Sequence, residues 1–235
     1  NFGGNVKHIS CISDDFIGDT AISYLNKFDL DTSAIVRSPR PLGVYFLEVG
    51  AVMRASSISY NRSHSSFSEI KPAMVNGENA KDVLSELVHH STIFIGGINE
   101  INELLETNFS YSNDDFIEAS KQLIEKYPSI EKVFDKIRTS INSSWHKIRA
   151  RMWNGKEFKE TEDLDITHII DRIGTGDAFA AGLIHGLQKF EDFKAMQFAS
   201  AACAIKHTYL GDVNYANEKD VITILNGEIT GRLNR

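Results

Sequence analysis

Cysteine is nearly absent from this chain: Cys11 and Cys203 are the only two among 235 residues. Two thiols make no disulfide framework, and their strand-like and helix-like surroundings suit buried free thiols. No apolar run approaches the length of a membrane span and no basic-apolar leader precedes the first glycines, so a cytoplasmic protein without a membrane partner is expected. Positive charge is also short. Lys and Arg number 25 against 32 Asp and Glu, a net charge of −7, which argues against general nucleic-acid affinity but leaves room for a charged substrate held by a few local cations. The histidines lack metal-ligand spacing, and the adjacent His89 and His90 leave a helix in different directions. No metal-ligating residue is assigned.

What the chain does contain is enough apolar residue, 42%, to bury a substantial core, and one α/β domain with an appendage is the simplest division. Val6 to Ile12 reads as a strand, and Asp14 to Phe28 as a helix with Ile17, Ala21, Ile22 and Leu25 on one side. Gly43 to Val49 alternates as a strand, with Val52 to Tyr60 as an antiparallel partner across Gly50 and Ala51. Residues 78–90 are helical in pattern and precede the apolar Thr92 to Ile95. Phe116, Ile117, Ser120, Leu123, Ile124 and Tyr127 recur at helical spacing, with Ser112 or Asn113 as cap and Pro128 as the stop. Lys147 to Met152 and Glu157 to Lys159 flank Asn154-Gly155, a hairpin signal. Phe193 to His207 and Glu218 to Leu225 read as the last helices. Such alternation predicts a mainly parallel sheet with helices on both faces and ligands at the carboxyl ends of its strands.

The chemistry concentrates in Asp171 to Gly182, Asp-Arg-Ile-Gly-Thr-Gly-Asp-Ala-Phe-Ala-Ala-Gly. Leu164 to Ile170 reads as a strand running into this turn, and Ala178, Ala181, Gly182, Leu183, Gly186 and Leu187 form a small apolar helix face suited to close packing on a sheet. A Gly-Thr-Gly turn at a helix start leaves the amides of Gly174, Thr175 and Gly176 without helical partners. They can converge on an anion, with the positive end of the helix dipole behind them. Asp177 on the first turn is placed to accept a proton from an attacking hydroxyl, and an anion hole beside a carboxylate suits phosphoryl transfer. On these four residues alone, a plain glycine loop before a helix is an equal reading.

With its strand before and helix after, Asp171 to Gly182 resembles the C-terminal signature of the ribokinase-like (PfkB) carbohydrate kinases. Gly3-Gly4 is similar to that family's N-terminal glycine pair, and Val6 to Gly18 to the strand and Asp-Asp-x-x-Gly segment that follow it. Gly43 to Glu48, Tyr60-Asn61-Arg62, and Lys206-His207-Thr208 followed by Gly211 to Asn214 together resemble the 2-keto-3-deoxygluconate kinase branch. The resemblance covers most of the chain, strongly at both ends and loosely in the middle. Two stretches are short by comparison. Gly4 is followed at once by Asn5 with no spacer, and near Phe94 and Ile95 the helix-strand unit that supplies a substrate-binding arginine is missing.

The resemblance implies a ribokinase-like, doubly wound, mainly parallel sheet in a single kinase domain over residues 1–235, with a small β lid at roughly 41–66. It implies ATP and Mg2+ as cofactors and a small sugar acid as the other substrate, 2-keto-3-deoxygluconate phosphorylated on its terminal (6-) hydroxyl. Asp177 would be the base, while Gly174, Thr175 and Gly176 stabilise charge and hold the nucleotide. Gly3 and Gly4 become sugar-hydroxyl contacts, Tyr45, Tyr60 and Arg62 lid contacts to the sugar and its carboxylate, and Asp212 a neighbour of the substrate's hydroxyl end. Each has a plainer reading from the residues alone: a flexible terminus, a solvated hairpin face, a turn aspartate.

Asn99 stands where the family carries an Asn-x-x-Glu motif that organises water around magnesium. The fourth residue here is Asn102, so either Glu103 serves after a register shift or the water is arranged differently. Residues 132–160 hold eight Lys or Arg against three Asp or Glu, including Lys136, Arg138 and Lys147. This reads either as help in holding a triphosphate or as a solvated basic edge. A helix N-terminus accounts for Asp14 and Asp15, and surface charge for Arg54. The exposed edges of a two-stranded lid predict a homo-oligomer formed through it. Two alternatives stay open: another carbohydrate kinase of this fold, acting on fructose, ribose or a ketogluconate with no need of Arg62, and a non-catalytic sugar-binding relative, favoured by Asn102 and the short stretches.

Overall fold

The computed structural model describes residues 2–69 and 80–227, so the first two residues of the helix expected over 78–90 lie outside the described residues. The chain divides into two compact units. An N-terminal unit holds residues 3–50 and the described part of 54–83; a C-terminal unit holds Phe2, residues 51–53 and the described residues from Leu84 onward.

The N-terminal unit opens with β1 (Lys7–Ser13), α1 (Phe16–Asn26) and β2 (Asp31–Ser38), and β1 and β2 pair in parallel, with Cys11 beside Val36. Asp15 caps α1, accepting from the amides of Ile17 and Gly18 at 3.0 and 3.1 Å, as a helix N-terminus requires. Next come β3 (Val44–Glu48) and β4 (Ser57–Asn61), an antiparallel ribbon in which Tyr45 lies opposite Tyr60. β4 starts later than expected because residues 51–53 form a turn, the Val52 carbonyl accepting from the Ser143 amide at 2.9 Å. Helix α2 (Ala80–His89) follows.

The C-terminal unit contains β5 (Ile93–Ile95), α3 (Ile98–Leu105), α4 (Asn113–Lys126), β6 (Lys132–Asn142), β7 (Trp145–Trp153), β8 (Phe158–Glu160), β9 (Leu164–Ile166), α5 (Thr175–Leu187), α6 (Asp192–Lys206) and α7 (Glu218–Leu225). Its sheet runs in the order β5-β6-β7-β8, with β9 also on β7. Successive residues of β6 point to opposite faces. Val133 enters a core with Ile98, Ile101, Phe116, Ala119 and Leu123 of α3 and α4, while Phe134 enters a core with Ile148, Met152, Phe179, Leu183 and Ala199. Helices thus cover both faces of the sheet, as the α/β reading expects.

Within that fold the described ladders are mixed. β1–β2 and β5–β6 are parallel, and the remaining pairs are antiparallel. Short connections are the reason, since a turn such as Asn154-Gly155 joins only antiparallel neighbours and a parallel pair needs a long crossover. The strand expected from Leu164 ends at Ile166, two strands (β2 and β6) were not expected at all, and β5 closes one edge of its sheet among the described residues. The glycine face of α5 also departs from expectation. A Cβ on Gly182 would stand 2.9 Å from the Ala202 Cβ, and one on Gly186 2.9 Å from the Ala195 Cα. Those glycines admit α6, and it is Phe179 and Leu183 that face the sheet. Among the described residues no helix is long and apolar enough to cross a membrane.

Candidate active site

The start of α5 is fixed by one glycine. Gly174 has φ +75°, and a Cβ there would stand 2.1 Å from the Asp212 carbonyl oxygen. Conformation and space both exclude a side chain, and the contact brings Asp212 to the head of α5. Asp171, nearly buried, holds the two loops together: its carboxylate accepts from the Ile173 amide at 3.0 Å and the Gly211 amide at 2.9 Å. The amides of Ile170 and Asp171 both donate to the His207 carbonyl at the end of α6. Beneath lies Lys206, fully buried, donating to the Tyr209 carbonyl at 3.2 Å. Burial pushes its pKa down, and the nearby carboxylates of Asp171 and Asp212 oppose that shift.

Thr175 is buried and turns its hydroxyl to the Arg172 carbonyl at 2.9 Å, with its amide reaching the same oxygen at 3.4 Å. Among the described residues, the amides at this turn that find no acceptor are those of Gly174, Gly176 and Asp177. The candidate anion hole is therefore shifted by part of one residue toward the helix. Asp177 sits in the first turn with an exposed carboxylate and no hydrogen-bond or ion-pair partner among the described residues.

A cleft of about 460 Å³ opens before Gly176, lined by Gly97, Asn99, Glu100, Asp135, Lys136 and Arg138 among others. Asn99 and Gly176, both expected at the nucleotide, therefore share one cavity. The Asn99 side-chain oxygen accepts from the Tyr111 hydroxyl at 2.7 Å. Asn102 faces elsewhere: it accepts from the Phe109 amide and Thr107 hydroxyl and donates to the Phe109 carbonyl, closing its own loop. Glu103 is exposed and does not line the cleft. The carboxylates that do line it, Glu100 and Asp135, were not singled out from the sequence.

Glu100 caps α3, accepting from the Gly97 amide at 2.9 Å. Asp135 lies directly across the β6–β7 ladder from Arg151, which is fully buried and donates to it from Nε at 3.0 Å. Burial pushes the Asp135 pKa up, and the Arg151 guanidinium opposes this. Spacing about the 143–144 turn does not announce this pair: Asp135 is eight residues before Ser143 and Arg151 seven after Ser144, and the irregularity between Ser140 and Asn142 brings them opposite each other.

In the N-terminal unit the lid residues cluster. The Tyr45 and Tyr60 rings lie 6.2 Å apart, and the Arg62 guanidinium stands 4.4 Å from the centre of the Tyr60 ring. Gly3 and Gly4 belong to the same unit, with nothing within 4 Å of a Cβ on either. Arg54 pairs with Glu48 at 2.9 Å on the ribbon, consistent with surface charge. The expected residues thus fall into two sets: Asn99, Gly174 to Asp177 and Asp212 in one unit, and Gly3, Gly4, Tyr45, Tyr60 and Arg62 in the other.

The family model for pfkB family carbohydrate kinases matches residues 69–219. No curated protein sequence matches the chain. Among solved structures, a PfkB family carbohydrate kinase from Listeria grayi is 25% identical with a TM-score of 0.84, the alignment covering 96% of this chain and 86% of that one. A 2-dehydro-3-deoxygluconokinase from Thermotoga maritima is 23% identical with a TM-score of 0.86 over the same shares. A ribokinase from the same organism is 17% identical with a TM-score of 0.65, covering 94% of this chain and 81% of its own. The fold is ribokinase-like. The family match spans more than half of the chain and includes the glycine turn and aspartate at the head of α5, so the protein belongs to the pfkB family of carbohydrate kinases, phosphotransferases that use ATP and an alcohol acceptor.

Proposed function

We propose that this carbohydrate kinase transfers the γ-phosphoryl group of ATP to the terminal (6-) hydroxyl of 2-keto-3-deoxygluconate. The observation that carries the phosphotransfer chemistry is the head of α5, where the unengaged Asp177 carboxylate stands beside amides that lack acceptors. Asp177 takes the proton from the sugar hydroxyl as its oxygen bonds to the γ-phosphorus, and the bond to the β–γ bridging oxygen breaks to release ADP. The amides of Gly174, Gly176 and Asp177 stabilise the charge on the moving group. Asp212, whose backbone lies against Gly174, is assigned to the hydroxyl end of the sugar on the family resemblance.

The sugar-acid reading is supported by Arg62, whose planar fork suits a carboxylate, stacked on Tyr60 beside Tyr45. The similarity to a 2-dehydro-3-deoxygluconokinase agrees with it. Gly3 and Gly4 are assigned to sugar hydroxyls on the family resemblance. Asn99, Glu100 and Asp135 line the cleft and would offer magnesium hard oxygen ligands through the atoms not already held by Tyr111, the Gly97 amide and Arg151. Among the described residues no group of three carboxylates, histidines or cysteines could hold a metal, so water and nucleotide phosphates would complete its shell. When bound, the ion neutralises phosphate charge. The ribbon is also proposed as the contact of a homo-oligomer, with Val44 and Phe46 exposed on the face opposite Tyr45; sedimentation of the native chain tests this.

Asp177→Asn should keep the fold and the binding of both substrates while lowering turnover by about 10²- to 10⁴-fold. Near-normal turnover would overturn the assignment of the base. A screen of sugar acids and neutral sugars with ATP and Mg2+ tests the acceptor: wild type should prefer 2-keto-3-deoxygluconate to fructose or ribose, and Arg62→Ala should lose that preference.

A further inference from the structure

The basic run over residues 132–160 is sorted by the tertiary structure into engaged and unengaged cations. Lys132 pairs with Asp192 at 2.7 Å, Arg149 with Glu160 at 2.8 Å, Arg151 with Asp135 at 2.9 Å, and Lys159 with Glu157 at 2.7 Å. Lys147 lies within ion-pair reach of Asp163 and Asp165. Of this run, only Lys136, Arg138 and Lys156 form no ion pair among the described residues. Lys156 is in the β7–β8 turn. Lys136 and Arg138, two residues apart on β6, share one strand face and both line the cleft with Gly176.

The Lys136 Nζ comes within 4.0 Å of where a Cβ on Gly176 would stand. It therefore faces the same turn whose amides lack acceptors. An ammonium aimed at the positive end of a helix, with a guanidinium beside it, is electrostatically unfavourable unless an anion lies between them. The carboxylates on the cleft wall do not fill that role: Glu100 accepts from the Gly97 amide and Asp135 is held by Arg151. Because residue 176 is a glycine, no side chain occupies the gap either.

We propose that Lys136 and Arg138 form a cation clamp for the phosphates of the nucleotide, gripping from β6 the same phosphoryl group that the α5 amides hold from the opposite side. This rests on the phosphotransfer reading above. Lys136 contacts the transferring group, so its contribution grows as charge develops there. Arg138, more exposed and farther along the strand, adds to binding through the neighbouring phosphate.

The test is titration calorimetry with ATP and with inorganic tripolyphosphate, alongside steady-state kinetics, on wild type, Lys136→Met, Lys136→Arg, Arg138→Gln and, as a control, Lys156→Met. Lys136→Met should weaken both ligands roughly tenfold or more and lower kcat by about 10²-fold, with the KM for the sugar and the thermal midpoint unchanged. Lys136→Arg should recover most of the affinity, Arg138→Gln should weaken binding more than turnover, and Lys156→Met should match wild type. Wild-type affinity and turnover in Lys136→Met overturn the clamp while leaving the kinase reading intact. An equal loss in Lys156→Met also overturns it, because general charge would then account for the effect. If wild type binds neither ATP nor tripolyphosphate, the clamp and the reading beneath it both fail.

Discussion

The C-terminal unit covers its sheet on both faces, so that Phe134, Met152, Phe116 and Leu123 are fully buried. In the N-terminal unit only Cys11 and Ile12 are buried hydrophobic residues among those described, and Ile9 on β1 is 75% exposed. Polar contacts do more of the work there: Arg37 donates to the Ser13 carbonyl and to Asp19, and Asp15 caps α1. The candidate chemistry is divided accordingly. Asp177 and its amides head a helix whose next turns, through Phe179 and Leu183, are set in the core, which fixes them as phosphoryl transfer requires. The tyrosines assigned to the sugar sit on a two-stranded ribbon with little burial, and Arg62 directly follows its second strand.

The largest expected effect comes from removing a buried charge in the well-packed unit. Arg151→Met leaves Asp135 buried without its partner and should cost about 3–5 kcal/mol. Urea unfolding followed by tryptophan fluorescence measures this directly, since Trp145 and Trp153 are the only tryptophans and both lie in this unit. Changing Asp135 to Leu in the same chain should restore much of the loss. A shift below ~1 kcal/mol in the single variant would break the contrast between the units.

Acid should also separate them. His146 and His207 are fully buried. Burial, aided by Arg138 and Arg172, pushes His146 down to about 4, and burial does the same for His207. Unfolded histidines take up protons near 6.5, so between pH 6.5 and 4 the unfolded chain binds more protons than the folded one. Stability of the C-terminal unit should fall as pH drops through that window and level off below it. In the N-terminal unit, Asp31 is held down to about 2 by Ser33 and Lys7. Its contribution is complete above the ordinary 3.8 and is lost only as pH falls from there toward 2. Urea midpoints read by fluorescence from pH 7 to 4 should decline, and His207→Gln should flatten the slope. An unchanged midpoint across that range would contradict the burial argument.

The smallest effect should come from the ribbon. Arg54→Ala removes an exposed ion pair with Glu48 and should change stability by less than ~1 kcal/mol. Hydrogen exchange of β3 and β4 in this variant should match wild type, and a large loss of protection would show that the ribbon depends on charge more than its exposure implies.

Much of this architecture was legible in the chain. The caps at Asp15 and Ser112, the Asn154-Gly155 turn and the β3–β4 ribbon announce themselves through local chemistry, which acts within a few residues. β6 was hidden for a physical reason: Asp135, Lys136 and Arg138 interrupt its apolar alternation, and only the cross-strand position of Arg151 makes an inward Asp135 tolerable. Likewise, nothing near Asn102 in sequence shows that its side chain closes the loop to Phe109, or that Glu100 and Asp135 are the carboxylates facing the cleft.

The sequence by itself marked the head of α5, because the glycines before the helix, their amides and an aspartate in the first turn are neighbouring residues; which amides lack acceptors, Gly174, Gly176 and Asp177 in place of Thr175, the folded turn decided. It likewise placed Tyr45, Tyr60 and Arg62 at an antiparallel pair that the family resemblance casts as a lid, while their register and contacts came from the fold. Tertiary structure alone decided which cations remain available. Lys136 and Lys147 look alike in the chain, yet one enters the cleft at Gly176 and the other lies against Asp163 and Asp165. Ion pairing depends on distance in space, and packing of the sheet between its helices sets that distance.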